Sequence, residues 1–432
     1  MIWPSVRVEE IAADGRSAIA IGPFGSRMKA DCYSAVGVPV IRGMNISQGR
    51  GFVGDFVFIP DELADTMLAC NVYAGDLVFP HRGAIGEVGI VPDEGKQRFM
   101  LSTSLMKLSV DVSRVEPLYV YYFFKSRLGR HELLKNASQV GTPGIATPLT
   151  SLKGIELPLP PLDEQRAIAS VLGSLDDKIE LNRRMNRTLE QMAAAIFKAW
   201  FVDFEPVRAK ASGAACFPGM TQPVFDALPA TFADSELGPI PEGWEVKRLK
   251  DAARLTMGQS PKSEFYNTSG DGLPFHQGVT NYGERFPTHK TFCTVQNRLA
   301  EPGDILFSVR APVGRINVAD ERLIVGRGLA AIRHNHGWQS FMLYALKHQF
   351  AEEDSIGDGT IFTAVTKKDM EGIRLIEPNE AVGLGYEKLA SAIDQQIGLN
   401  DRESRTLAET RDALLPKLLS GEVRVSQTVG VV

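Results

Sequence analysis

The feature that most constrains this chain is that much of it occurs twice. IELNRRMNRTL, beginning at Ile179, returns as IGLNDRESRTL at Ile397, with Ile179/Ile397, Leu181/Leu399, Asn182/Asn400, Arg187/Arg405, Thr188/Thr406 and Leu189/Leu407 in register. Upstream, AGDLVFPHRGAIGEVGIV from Ala74 aligns with PGDILFSVRAPVGRINVA from Pro302, so that Gly75, Asp76, Phe79, Arg82 and Gly86 recur as Gly303, Asp304, Phe307, Arg310 and Gly314. GVPVIRG from Gly37 resembles GLPFHQG from Gly272, Trp3 and Arg7 match Trp244 and Arg248 in spacing, and TPLTSLKGIELPLP resembles TAVTKKDMEGIRLIEP. The matches keep one order while their offsets drift, as loop insertions would make them. The plan is therefore one module of roughly 200 residues present twice, within the domain count that a length of 432 allows.

Each module begins with short apolar runs after Gly-Asp turns (DLVFP, DILFS), closely punctuated by Gly and Pro, which predicts a strand-rich head. It ends in a helical pattern. Ile168, Leu172, Leu175, Ile179, Asn182, Asn186, Leu189, Ala193, Ile196 and Trp200 form a heptad seam, and the second copy runs Tyr386, Ala390, Ile393, Ile397, Asn400, Ser404, Leu407, Arg411, Leu414, Leu418. Asp163 is expected as an N-cap after LPLPP, and Gly421 closes the second helix. Each helix would hold near 40 residues, roughly 60 Å of rise. A stripe of that length needs a partner, and the other copy is at hand. If the two run antiparallel, the polar mid-points Asn182/Asn186 and Asn400/Ser404 meet and fix register at some cost in stability. Two separate amphipathic helices, each packed on its own head, is the alternative.

The expected fold class is α+β: two similar mixed, strand-rich α/β domains joined by two long antiparallel coiled-coil helices, with a pseudo-twofold internal repeat. The expected division is 1–160 for the first head, 161–205 for the first long helix, 206–235 for a linker rich in Ala, Pro, Gly and Ser, 236–382 for the second head and 383–425 for the second long helix.

Composition excludes several classes. With 44% hydrophobic and 23% charged residues the chain is globular, and it contains no run of about 18 apolar residues to span a bilayer. MIWPSVRVEE lacks a basic flank followed by an apolar stretch, so no signal peptide is expected. Cys32, Cys70, Cys216 and Cys293 lie far apart without a CxxC pair, which fits free thiols in a reducing cytoplasm and no zinc set. The net charge of −5 argues mildly against nucleic acid, but it averages over the surface; residues 1–160 carry 16 Lys+Arg and 16 Asp+Glu.

Catalytic constellations are weak. The adjacent acids of VPDEGK (91–96) read as a turn, and the histidines of RHNH (333–336) stand too close for a nuclease of that motif. No GxxxxGK[ST] loop, HExxH, GxSxG or Asn/Asp-Pro-Pro-aromatic motif occurs, and GAIGEVG and GRGLAA are poor dinucleotide fingerprints. The chain reads as a non-catalyst with no metal or cofactor of its own.

Two heads on a spacer of set length suit a split DNA site, whose half-sites are read one helical turn (about 34–36 Å) or multiples apart. Candidate contacts are the polar and basic loop residues: Arg27, Lys29, Arg42, Asn45, Gln48, Arg50, His81 and Arg82 in the first head, and Gln259, Lys262, His276, Gln277, Asn281, Arg310 and Arg315 in the second. Between copies the apolar and Gly-Asp framework is kept while the loops change, as two different half-sites would require. The helix-pair seam is expected to comprise Ile168, Leu172, Leu175, Ile179, Asn182, Leu189 and Ile196 against Ile393, Ile397, Asn400, Leu407 and Leu414.

PLPPLDEQRAIASVLGSLDDKIELNRRMNRTLEQMAAAIFKAWFVDFEPVRAK resembles the central region of the specificity (S) subunits of type I restriction–modification systems. LGPIPEGWEVKRLKD (237–251) is similar to that family's approach to its second target-recognition domain, and LLPKLLSGEVRV (414–425) to its C-terminal close. The chain departs from the family in having EPNEAVGLGYEKLA where the second helix would follow a Pro-Pro-Leu-x-Glu-Gln opening, and in its short N-terminus. The resemblance implies a cytoplasmic DNA-binding subunit whose heads are target-recognition domains for the two halves of a split site. It implies helices that fix the gap and dock two methyltransferase subunits, and further translocase–nuclease subunits for restriction. S-adenosylmethionine, ATP and magnesium would be used by those partners, as would flipping of the target adenine. A recognition subunit serving a fused nuclease–methyltransferase, and a two-headed protein scaffold, are the other readings.

Overall fold

A computed structural model of the chain describes residues 3–15, 17–24, 27–46, 49–93, 98–138, 142–351, 355–356, 360–361 and 364–425. It divides into two compact units, Met1–Arg183 with Arg402–Val432, and Arg184–Asp401.

In the first unit, eight short strands form two four-stranded sheets. They are β1 (Ile19–Ile21), β2 (Val38–Ile41), β3 (Val57–Ile59), β4 (Asn71–Val72), β5 (Leu77–Pro80), β6 (Gly89–Ile90), β7 (Phe99–Leu101) and β8 (Leu105–Leu108). One sheet has the order β1-β8-β5-β6 and the other β3-β2-β7-β4. All pairs are antiparallel except β2 with β7, where Val40 faces Met100. The Gly-Asp turn before β5 is built as the sequence predicts: the Asp76 carboxylate accepts from Tyr73 N at 2.9 Å, and Lys107 lies 3.7 Å away. Helix α1 (Pro117–Lys125), started by the Glu116 carboxylate accepting from Leu118 N, buries Tyr119 to Phe124 against the β1-containing sheet.

The second unit repeats this topology. Its strands are β9 (Ala253–Met257), β10 (Tyr266–Asn267), β11 (Leu273–His276), β12 (Phe292–Cys293), β13 (Leu299–Ala300), β14 (Ile305–Ser308), β15 (Ile316–Val318), β16 (Leu323–Val325) and β17 (Leu329–His334). The sheets run β9-β17-β14-β15 and β10-β12-β11-β16-β13, with β11 and β16 parallel. The repeat inferred from sequence is thus a repeat of strand order, with β10 added at one edge.

Two long helices contribute to both units: α2 (Leu162–Phe201, 40 residues) and α4 (Glu380–Ser420, 41 residues), with α3 (Gln339–Gln349) as the second unit's counterpart of α1. Asp163 lies in the first turn of α2 rather than at its cap, where a carboxylate still favours the positive end of the helix dipole. α4 is capped by Asn379, whose side chain accepts from Val382 N at 3.1 Å, so the missing Pro-Pro-Leu opening is replaced by a different start signal. Gly421, at φ +76°, ends α4 in the left-handed conformation that a residue without Cβ adopts freely.

Within each unit the two helices run antiparallel. In the first, Asn182 donates to Glu403 at 2.8 Å and to Ser404 at 3.3 Å; in the second, Asn400 donates to Asn186 at 2.8 Å, and Asn186 donates to the Ile397 carbonyl at 3.3 Å. The amides at the polar mid-points therefore donate across the pair. Of the seam residues, Ile168, Leu172, Ile179, Asn182, Ile397 and Asn400 are buried; Leu175, Leu189, Ile196, Ile393, Leu407 and Leu414 are half-buried. No helix of the described residues is long and apolar enough to cross a membrane.

The stretch 206–235 does more than link. It carries helices over Glu205–Ala211 and Gln222–Asp226, and Val207, Phe225 and Leu228 are buried in the core of the second unit. Its Ala, Pro and Gly content conceals these few apolar anchors.

Candidate nucleic-acid interface

Four loops meet at one end of the sheets in each unit, held by backbone hydrogen bonds that correspond pair by pair. In the first unit, Gly22 N donates to Leu105 O (2.8 Å), Ser102 N to Ile41 O (2.9 Å), His81 N to Ser104 O (2.9 Å) and Ile145 N to His81 O (2.9 Å). In the second, Gly258 N donates to Leu329 O (2.9 Å), Gly326 N to His276 O (2.8 Å), Val309 N to Gly328 O (2.9 Å) and Val365 N to Val309 O (2.9 Å). The loops following β1, β2 and β5 are thereby tied to the β7–β8 turn, and those following β9, β11 and β14 to the β16–β17 turn. These loops carry nearly all the candidate contact residues.

Placement separates the candidates by what each side chain is free to do. In the first unit Arg27, Lys29 and Arg82 are exposed. Arg82 forms a β-bridge with Gly144 and lines an open cleft of about 370 Å³ with Ser138, Thr142 and Ile145. Arg42 donates to Asp55 O at 2.9 Å. Asn45, 1% exposed, donates to Val53 O and Asp55 O while accepting from Arg42 N, so its carboxamide braces the 42–55 loop from within. Arg50 is ion-paired with Asp177 of α2 and ties the loop to that helix. His81 is buried, with Nε2 donating to Thr103 O at 3.1 Å; burial lowers its pKa, which keeps it neutral at pH 7. Gln48 lies outside the described residues.

In the second unit Gln259, Gln277, Arg310 and Arg315 are exposed, and Asn281 is half-buried. Lys262, also exposed, sits 3.8 Å from Glu264. Arg310 bridges to Ala364 as Arg82 does to Gly144. A cleft of about 220 Å³ opens between Tyr266, His276, Gln277, Asn281 and Thr291. His276 is 2% exposed; its Nε2 lies 2.9 Å from His289 Nδ1, and His289 Nε2 lies 3.1 Å from Asp320. Burial first, and the neighbouring His289 second, lower the His276 pKa to about 4. His276 therefore stiffens the loop base as a neutral group.

A second set of residues, of which the sequence singled out only Arg411 as a seam position, fastens the sheets to the long helices. Tyr122 of α1 donates to Asp176 of α2 at 2.7 Å, and Arg411 of α4 donates to the same carboxylate at 2.6 Å. In the second unit Tyr344 of α3 donates to Asp394 of α4 at 2.9 Å, with Arg285 2.6 Å from that carboxylate and 2.7 Å from Glu190 of α2, which also pairs with Lys347. Burial opposes the charge on Glu190, but Arg285 and Lys347 outweigh it and hold its pKa below the usual range. The recurrence of Asp176 as Asp394 and of Tyr122 as Tyr344 between the two copies is the sequence signal that could have found this anchor.

The type I restriction modification DNA specificity domain matches the chain twice, over residues 25–191 and 241–397. The chain belongs to that family. It is 30% identical over 398 residues, 90% of this chain and 88% of the relative, to a Methanocaldococcus jannaschii protein named as the type I restriction enzyme MjaX specificity subunit. It is 27% identical over 381 residues, 77% of this chain and 83% of the relative, to the type I restriction enzyme HindI specificity subunit of Haemophilus influenzae. The crystal structure of the type I restriction–modification S subunit from M. genitalium is similar in fold, with a TM-score of 0.54 at 16% identity over 96% of each chain. The chain is thus a DNA specificity subunit of the type I restriction–modification class, a recognition component and not a catalyst.

Proposed function

We propose that each unit reads one half of a split site in double-stranded DNA through its loop cluster, and that α2 and α4 set the gap. The observation that carries this reading is the paired loop framework: the same backbone hydrogen bonds recur in both units, while the exposed side chains on them differ. Arg27, Lys29 and Arg82 face one half-site and Gln259, Lys262, Gln277, Asn281, Arg310 and Arg315 the other. Arg42, Asn45, Arg50, His81 and His276 contribute by holding the loops in shape. Base edges would be read by the amides and arginines, and phosphates by the outlying cations.

The partners in this reading are two methyltransferase subunits that use S-adenosylmethionine, and translocase–nuclease subunits that use ATP and magnesium, in the cytoplasm. Exposed apolar residues on the long helices, Leu181 (51%), Met192 (50%) and Leu399 (53%), support docking of protein there. The bulk acidity of the chain fits as well, because partners can supply part of the phosphate neutralisation.

The test is genome-wide calling of methyladenine in cells carrying this chain with its methyltransferase partner, with and without the chain. A split motif with a fixed gap should vanish on deletion. An unchanged pattern would sink the assignment. In the purified complex, Arg82→Ala and Arg310→Ala should each weaken binding through a different half-site.

A further inference from the structure

We infer that Arg327 is a specificity-determining residue of the second unit and contacts a guanine edge in the half-site that unit reads; this rests on the DNA-reading assignment above. The residue sits in Gly326-Arg327-Gly328-Leu329, a tight turn closed by Leu329 N donating to Gly326 O at 2.9 Å. That turn is the hub of the loop cluster. On one side Arg327 N donates to Ser260 Oγ at 3.2 Å and Gln259 N to Val325 O at 2.9 Å. On the other, Gly328 N donates to Gln277 O at 3.0 Å, and Val309, next to Arg310, donates to Gly328 O.

The two glycines are required by packing. A Cβ on Gly326 would stand 2.7 Å from Gln277 Cα, and a Cβ on Gly328 would overlap the Gln277 carbonyl oxygen. Both contacts are with backbone, which cannot swing away. Arg327 is therefore the side chain the turn can present between them. It is exposed, and its guanidinium makes no hydrogen bond or ion pair with any described residue. Several other arginines of this unit, though not all, have carboxylate partners, among them Arg285 with Asp394, Arg322 with Glu301, Arg333 with Asp304 and Arg374 with Glu236. In the first unit the corresponding turn is Ser102-Thr103-Ser104-Leu105, with the same closing bond from Leu105 N to Ser102 O at 3.2 Å. There a short neutral side chain occupies the place of Arg327. The two units thus differ in charge, reach and hydrogen-bonding capacity at the centre of an otherwise shared backbone.

A planar guanidinium donates two parallel hydrogen bonds to guanine O6 and N7 from a rigid fork, whereas an ammonium reaches the same edge only as a point charge on a flexible stem. The neighbours Gln259 and Gln277 are neutral amides, which suit base edges better than phosphates.

The experiment uses the complex of this chain with its methyltransferase partner. Binding is measured to duplexes carrying the split site and to a set in which each half-site position is substituted in turn, for wild type, Arg327→Ala and Arg327→Lys. Wild type should demand guanine at one position of one half-site. Arg327→Ala should lose that demand, with discrimination there falling by about 5- to 150-fold, while the other half-site is read as before. Arg327→Lys should keep most affinity and the salt dependence while recovering only part of the guanine demand. If Arg327→Ala keeps every positional preference, or weakens binding to all sequences equally, the inference is overturned. Loss of all sequence preference in the wild-type complex would overturn the DNA-reading assignment together with it. Unchanged thermal unfolding of the variants separates these results from misfolding.

Discussion

Replacing Arg285 by methionine should loosen the second unit by far more than any surface charge change. Arg285 is 7% exposed and is shared between Glu190 of α2 and Asp394 of α4, while its Nη1 lies 3.3 Å from the Tyr344 hydroxyl. Burial opposes its charge, yet Asp394 and Glu190 raise its pKa, so it is ionised at any working pH. Methionine fills similar space but leaves Asp394 with the Tyr344 hydroxyl alone and Glu190 with Lys347. Removing one member of a buried ion pair costs about 3–5 kcal/mol, because the carboxylates left behind remain desolvated. A control lies nearby: Arg187 and Glu284 pair at 3.5 Å with 49% and 63% of their side chains exposed, and solvent-exposed pairs contribute about 0–1 kcal/mol. Urea unfolding followed by circular dichroism should shift the Arg285→Met transition down by about 1–2 M, against little change for Arg187→Met. A shift for Arg285→Met no larger than for the control would refute the reasoning, since it would mean that water reaches these carboxylates.

Three further outcomes are expected. Leu189→Pro, within α2, should cost about 3 kcal/mol or more by removing a helix hydrogen bond and forcing a clash, and should relax the gap preference in methylation; unchanged helicity and an unchanged gap would count against the spacer role. Stability of the second unit should fall as pH drops from about 6.5 toward 4. His276 and His334 have folded pKa values lowered to about 4, mainly by burial, so the unfolded chain takes up protons first. Their stabilising contribution is complete above pH 6.5 and is lost progressively below it, on the order of 3 kcal/mol each. A flat unfolding midpoint between pH 7 and 4.5 would contradict this, and His334→Gln should reduce the slope. Finally, Asn400→Leu should leave the helix pair as stable or more so while broadening the gap preference, readable by methylation of sites with altered spacing; an unaltered gap would remove Asn400 as a register device.

The parts legible in the sequence were those written in local periodicity. Two heptad seams and recurrent Gly-Asp turns can be recognised without knowing what they touch, and they pointed to two strand-rich heads, two long helices and polar residues midway along each seam; the meeting of those mid-points required an antiparallel pairing that the structure supplies. The start of α4, where the family's opening is absent, was expected at 383; the helix begins at Glu380, and the Asn379 cap was found only in the structure. The loops that follow the strands were also correctly located, because turn residues announce themselves.

Tertiary structure alone decided which polar residues are available to a partner. Asn45, Arg50 and His276 look on paper like Gln277 and Arg310, but the first three are held by groups far along the chain or buried beneath the loops, and the last two are not. The 206–235 stretch has linker composition, yet three of its apolar residues fill the second core. Arg327 lies in a Gly-Arg-Gly run that fits a poor nucleotide motif; only the close approach of Gln277 explains both glycines. The reason is the same in each case. Amphipathic periodicity is a property of consecutive residues, whereas hydrogen-bond satisfaction and exposure depend on which distant segments the fold brings within about 3 Å.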